Sequence, residues 1–129
     1  MSRESLRGTK ILVVDDEVSI ANTLCLIFQK FGYECEKAYD AEQAMELAFV
    51  APPDLLLTDV VLPGMSGVHL AMMLRDQMPR CKILLFSGQA STSQLLEEAK
   101  HRGYEFEILA KPVHPTDLLK SVKRILGDT

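Results

Sequence analysis

Five times along this chain a short run suited to a strand is followed by a segment with helical spacing, and this alternation limits the fold more than any other feature. The first run is Ile11-Leu12-Val13-Val14, which stops at Asp15-Asp16-Glu17. The third climbs through Leu55-Leu56-Leu57 to Thr58-Asp59, with Pro53 before it and Pro63-Gly64 after it. The fourth, Lys82 to Phe86, stops at Ser87-Gly88, and the fifth, Phe106 to Ala110, stops at Lys111-Pro112. Apolar runs bounded in this way read as strands buried on both faces. The second run, Tyr33 to Tyr39, alternates in character and suits a more exposed strand near a sheet edge. Four of the five strands are therefore expected to be buried.

The intervening segments read as helices. Val18 to Phe31 carries apolar residues at helical spacing and is closed by Gly32. Asp40 is placed to cap a helix over Ala41 to Val50, with Gln43 three residues on in a capping-box position and Pro52-Pro53 as its stop. A third helix is expected from about Gly67 to Gln77. A short fourth, capped by Ser91 or Ser93, closes at Gly103, and a fifth runs from about Thr116 to Leu126. Repeated strand–helix units with buried strands require right-handed crossovers and a parallel sheet covered on both sides. The expected fold class is therefore α/β, a doubly wound five-stranded parallel sheet flanked by five helices.

A length of 129 residues suffices for one domain with a full core. Residues 1–9, polar and mixed in charge, are expected to form a flexible N-terminal segment, with residues 10–129 as the domain. A net charge of −4 and no Lys/Arg-rich run argue against direct nucleic-acid binding through bulk electrostatics. The first apolar run is too short for a signal peptide or a membrane span, so no membrane role is expected. Cys25, Cys35 and Cys81 are odd in number and widely spaced. They read as small buried thiols in a reducing cytoplasm rather than as a disulfide framework or a metal-type pair. The methionines Met45, Met72, Met73 and Met78 read as packing filler. His69, His101 and His114 match no metal or catalytic spacing and read as surface or half-buried residues.

Parallel strands bring their carboxyl ends to one rim, so Asp15, Asp16, Asp59, Ser87 and Lys111 converge although they are distant in sequence. Taken singly, each has a plainer reading: Asp15 and Asp16 as a helix cap and first-turn acid, Asp59 and Ser87 as turn residues, Lys111 as a solvated side chain. Together they pose an electrostatic problem. Carboxylates about 4 Å apart repel by about 4 kcal/mol per pair at an effective dielectric near 20. A hard divalent cation with oxygen ligands resolves it, and Mg²⁺ is the natural candidate. Cation, ammonium and hydroxyl together describe a cradle for an anion with several oxygens, such as a phosphoryl group.

Val13-Val14-Asp15-Asp16-Glu17, Leu57-Thr58-Asp59 with Pro63-Gly64-Met65 and Gly67, Phe86-Ser87-Gly88, and Lys111-Pro112 resemble the receiver domain of two-component response regulators, in order and over essentially the whole chain. The resemblance implies a flavodoxin-like sheet of order 2-1-3-4-5. It implies that Asp59 accepts a phosphoryl group from a sensor histidine kinase or a histidine phosphotransfer protein. Asp16 would ligate Mg²⁺ directly, Asp15 mainly through water, with Asp59 and the Val61 carbonyl completing the protein ligands. Ser87 and Lys111 would each hold a phosphoryl oxygen, and the Lys111–Pro112 peptide would be cis. The implied protein is a cytoplasmic signalling switch, a stand-alone chemotaxis-type receiver that passes its signal to a downstream target protein. Phosphorylation-dependent homodimerisation is left open, as is membership of a larger regulator.

The chain also departs from that pattern. Ile108 stands where many receivers carry an aromatic residue, with Phe106 the nearest ring, and this motivates an alternative reading as a phosphorylation-independent interaction module. Ser87 replaces the commoner threonine. Val61 and Gln89 offer little to orient a water, which predicts slow autodephosphorylation. A Mg²⁺-dependent phosphatase would need an acid where Val61 stands. No Gly-x-Gly-x-x-Gly or Walker-type loop is present, which disfavours nucleotide-dependent enzymes.

Overall fold

The computed structural model describes residues 8–88 and 93–127. Strands β1 (Lys10–Val14), β2 (Glu34–Ala38), β3 (Leu55–Asp59), β4 (Lys82–Ser87) and β5 (Glu107–Ala110) alternate with helices α1 (Val18–Lys30), α2 (Ala41–Val50), α3 (Gly67–Gln77), α4 (Ser93–His101) and α5 (Pro115–Leu126). All four strand pairings are parallel, and the sheet order is β2-β1-β3-β4-β5. The doubly wound α/β expectation holds in class, number and order.

Two cores follow from the two-residue period of the strands. Ile11, Val13, Leu55, Leu57, Leu84 and Phe86 face one side, where they meet Ala21, Leu24 and Phe28 of α1 and Leu118 and Val122 of α5. Leu12, Val14, Leu56, Ile83 and Leu85 face the other, against Ala44 and Ala48 of α2, Leu70 and Leu74 of α3, and Ala99 of α4. The central strand β3 is buried at every position, so its terminal Asp59 is fixed from both faces of the sheet.

Local signals in the sequence act largely as expected. The Asp40 carboxylate accepts the Gln43 N–H at 2.7 Å, while the Gln43 side chain reaches back to the Tyr39 N–H at 2.8 Å, one residue before the cap. Gly32 takes the left-handed conformation that ends α1, with φ of 97°. Ser66 caps α3, accepting the His69 N–H at 3.2 Å. Ser93 opens α4, and Ser91 and Gln89 lie outside the described residues, as do the first seven. Helix α5 begins at Pro115, with the His114 ring accepting the Thr116 N–H at 3.2 Å. Met72 is buried and Met45 and Met78 pack against the second core, as filler should.

Two expectations fail. Strand β5 is not a buried strand: it lies at the sheet edge, its residues alternate between half-buried and exposed, and Ile108 faces solvent. The run Phe106 to Ala110 satisfies an apolar pattern, but an edge strand is paired on one side only, and α5 covers only one of its faces. The cysteine reading also fails in part. Cys81 is buried and free, whereas Cys25 and Cys35 are joined in a disulfide. The reason is tertiary: α1 packs back over β2, so two residues ten apart in sequence come to a Cα–Cα distance of 5.5 Å, within disulfide reach.

Candidate functional site

The carboxyl ends of β1, β3 and β4, with the residue after β5, meet at one rim. Asp15 follows β1 directly and continues its ladder, its N–H donating to the Ala38 carbonyl at 3.1 Å. Its carboxylate is fully buried, accepting the Glu17 N–H at 2.8 Å on Oδ1 and the Lys111 ammonium at 3.2 Å on Oδ2. Burial pushes the Asp15 carboxyl above its usual range, and the Glu17 N–H and Lys111 only partly offset this. Asp16, next in sequence, is exposed at the mouth of the cleft.

Asp59 ends the central strand and is only 8% exposed. Its Oδ1 accepts the Val61 N–H at 3.1 Å and its Oδ2 accepts the Lys111 ammonium at 2.8 Å. Lys111 thus bridges two carboxylates that would otherwise repel. Burial alone would lower its pKa, but the hydrogen bonds and charges of Asp59 and Asp15 outweigh that and hold it above the usual lysine value. The ammonium also lies 4.7 Å from the centre of the Phe86 ring, a cation–π contact. The Lys111–Pro112 peptide is cis, as the resemblance implied.

Ser87 is buried at the end of β4, and its carbonyl accepts the Lys111 N–H at 3.0 Å, which registers the Lys111 loop against β4. One oxygen each from Asp15, Asp16 and Asp59 lies within 4.8 Å of the others. Such a set of hard oxygen donors fits a divalent cation that retains several waters. Every residue expected at the site from the sequence is therefore at this rim: Asp15, Asp16, Asp59, Val61, Ser87 and Lys111.

Two contributors had no role assigned from sequence. Phe86 was read as core, yet it also forms a floor under the Lys111 ammonium. Gly67 opens α3, and its N–H donates to the Val60 carbonyl at 2.8 Å. A Cβ at this position would lie 1.8 Å from the Asp59 carbonyl oxygen and 3.0 Å from the Thr58 hydroxyl oxygen. Only glycine lets α3 begin in contact with the strand that carries Asp59. The signal was present as a glycine just after a Pro-Gly turn, but its meaning depends on the close approach.

The fold is a doubly wound sheet of the flavodoxin-like class, and at its rim one lysine bridges buried Asp15 and Asp59 beside exposed Asp16, a set of donors that could hold a cation. The response regulator receiver domain family matches residues 11–123, and the chain belongs to that family. It is therefore of the two-component signalling kind, in which receivers act as switches between kinases or phosphotransfer proteins and downstream effectors. It is 33% identical over 127 residues to the phosphate regulon transcriptional regulatory protein PhoB of Pseudomonas aeruginosa, covering 95% of this chain and 53% of that protein. The chain spans about half the length of the curated relatives it matches. A CheY-like receiver domain protein from Methanospirillum hungatei superimposes with a TM-score of 0.84 at 30% identity, over 92% of this chain and 94% of that one. The response regulator TrrA of Thermotoga maritima, solved in complex with Mg(2+)-BeF, gives a TM-score of 0.79 at 30% identity, over 91% of this chain and 98% of that one.

Proposed function

We propose that Asp59 is the phosphoryl acceptor of a Mg²⁺-dependent receiver fed by a sensor histidine kinase or a histidine phosphotransfer protein. The observation that carries this is the pairing of buried Asp59 with Lys111 at 2.8 Å inside a triad of acids. In the transfer, a carboxylate oxygen of Asp59 bonds to phosphorus as the P–N bond to the donor imidazole breaks, and the imidazole leaves to take up a proton. Asp15, Asp16, Asp59 and the Val61 carbonyl would hold the cation, which when bound supplies charge neutralisation at the phosphoryl oxygens. Lys111 already sits between Asp15 and Asp59 and is placed to pair with a phosphoryl oxygen once Asp59 is modified. Ser87 is placed to donate its hydroxyl to another. The Val61 side chain is apolar and 43% exposed beside Asp59, so it aligns no attacking water, and the acyl phosphate should be lost slowly.

The whole site lies within the receiver-domain match at residues 11–123, and the likeness to a CheY-like receiver domain protein supports a receiver of the stand-alone chemotaxis type with protein binding as its output. Residues 10–129 are proposed as that receiver; the first seven residues lie outside the described ones. The cytoplasm is the proposed compartment, because the proposed donor kinase would draw on ATP there; among the described residues no helix is long and apolar enough to cross a membrane. Phosphorylation-dependent pairing of two copies is a further proposed state.

The test is intact-protein mass after incubation with acetyl phosphate, with and without Mg²⁺, beside Asp59→Ala. One phosphoryl mass gain that requires both Mg²⁺ and Asp59 is expected. Gain in Asp59→Ala would move the acceptor elsewhere. No gain together with no Mg²⁺ binding would leave a phosphorylation-independent interaction module. Loss of the label within seconds would overturn the slow-hydrolysis reading.

A further inference from the structure

We propose that Cys25 and Cys35 form a reversible redox clasp that sets the position of α1 and, through it, the readiness of the acid site; this rests on the cytoplasmic reading above. Disulfides in that compartment are rare and, where they occur, are mostly transient or redox-sensing. The placement of this one suits such a role. Cys25 lies inside the core on α1, whereas Cys35 is half-buried on β2, an edge strand with β1 as its only sheet neighbour. The bond therefore ties the middle of a helix to a strand that the ladder holds from one side only. The sulfur of Cys35 is the more accessible of the two.

Reduction by a dithiol of the thioredoxin class is then a balanced exchange. One donor thiolate attacks the Cys35 sulfur and expels the Cys25 thiolate, which takes a proton. The second donor thiol attacks the mixed disulfide and releases Cys35, so two electrons and two protons pass to the pair while the donor closes its own disulfide. Cys81 does not compete. It is packed in the core on the other face of the sheet, and burial pushes its thiol up to about 12.

Helix α1 connects the pair to the site in two ways. Its N-terminus follows directly on Asp15-Asp16-Glu17, where the Glu17 N–H binds the Asp15 carboxylate. Its Ile20, Thr23 and Leu24 form one wall of a cleft of about 530 Å³ whose other wall includes Phe86, Lys111 and Pro112. Leu24 and Cys25 are adjacent, so the tether and the cleft wall belong to the same turn. Opening the bond frees α1 to shift against the cleft and loosens the backbone that holds Asp15.

The test uses the full chain, with native thiols counted by alkylation and intact mass after treatment with thioredoxin and its reducing system. Cys35 is expected to be alkylated without unfolding while Cys81 stays unmodified, and unfolding in the presence of the alkylating agent should label three cysteines in the reduced protein against one in the untreated protein. Amide exchange in α1 and β2 should speed up by about tenfold in the reduced protein, and Mg²⁺ affinity should fall by about threefold. Cys35→Ser should behave as the reduced form and ignore reductant. Resistance of the native bond to reduction, or identical exchange and Mg²⁺ affinity in both states, would overturn the clasp. Phosphoryl uptake is read in parallel: its failure in both states, with the exchange difference intact, would count against the receiver reading and leave the clasp standing.

Discussion

The two edges of the sheet are built by opposite means. At the β2 edge, the strand is five residues long, its ladder is extended by Glu34 N–H to Thr9 and Asp15 N–H to Ala38, and a disulfide ties it to α1. Lys10 adds an ion pair with Glu36 at 2.9 Å. At the β5 edge, four residues pair with β4 and alternate ones face solvent. What secures that edge is a set of contacts near or at the surface. Arg124 forks onto the Glu107 carboxylate, with one bond at 3.0 Å, and Tyr104 donates to Asp76 at 2.7 Å. Arg75 lies over the Phe106 ring at 5.0 Å, and Phe106 stacks on Tyr104. Contacts of this kind are individually weak and replaceable, whereas a covalent closure acts on the unfolded chain as a whole. The contrast separates a fixed side of the molecule from a yielding one, and Lys111 hangs directly from the yielding side.

Breaking the fixed side should have the largest effect. In the chain-entropy picture, opening a loop of this size costs about 2–3 kcal/mol, so Cys35→Ser or reduction should lower Tm by about 10 °C. Amide exchange should accelerate in β2 and leave β5 unchanged. The interior between the edges is probed by Cys81, at the foot of β4. Its folded pKa lies above its unfolded one, so the folded state keeps a proton that the unfolded state releases as pH rises from 9 toward 12. Stability should therefore fall with rising pH in that window, by up to about 1.4 kcal/mol per pH unit. Urea melts at pH 8 and 10 should show the loss, and Cys81→Ala should remove that part of it.

Loosening the yielding side should register less. Arg75→Ala removes the cation–π contact and is expected to cost about 0.5–1 kcal/mol, with faster exchange in β5 and none in β2. Arg124→Ala should change least, within the scatter of thermal melts, because the pair is largely exposed. Its hydrogen bond lowers the Glu107 pKa, so the small contribution is present above the ordinary glutamate range and disappears as pH falls through the folded value. A melting temperature of Arg124→Ala that fell as far as that of Cys35→Ser would erase the distinction between the edges.

Much of this molecule is legible in its sequence because the signals are local. The apolar runs of β1, β3 and β4 have no polar interruption, Asp40 caps where a cap is needed, and the acids and Lys111 fall at run ends that a parallel sheet must gather. The parts that were not legible depend on distances that spacing does not encode. Cys25 and Cys35 meet because of how α1 lies over β2. Phe106 to Ala110 has the pattern of a core strand, yet strand order puts it at an edge. Phe86 acquires its contact with Lys111 only when the residue after β5 folds back over the end of β4.

Gly67 also limits what the middle of the rim can accept. Where α3 meets the end of β3 there is no clearance for even one extra carbon. Any side chain at this position would have to push the helix off the strand end that carries Asp59, so the place of the acid depends on a residue that has no side chain of its own.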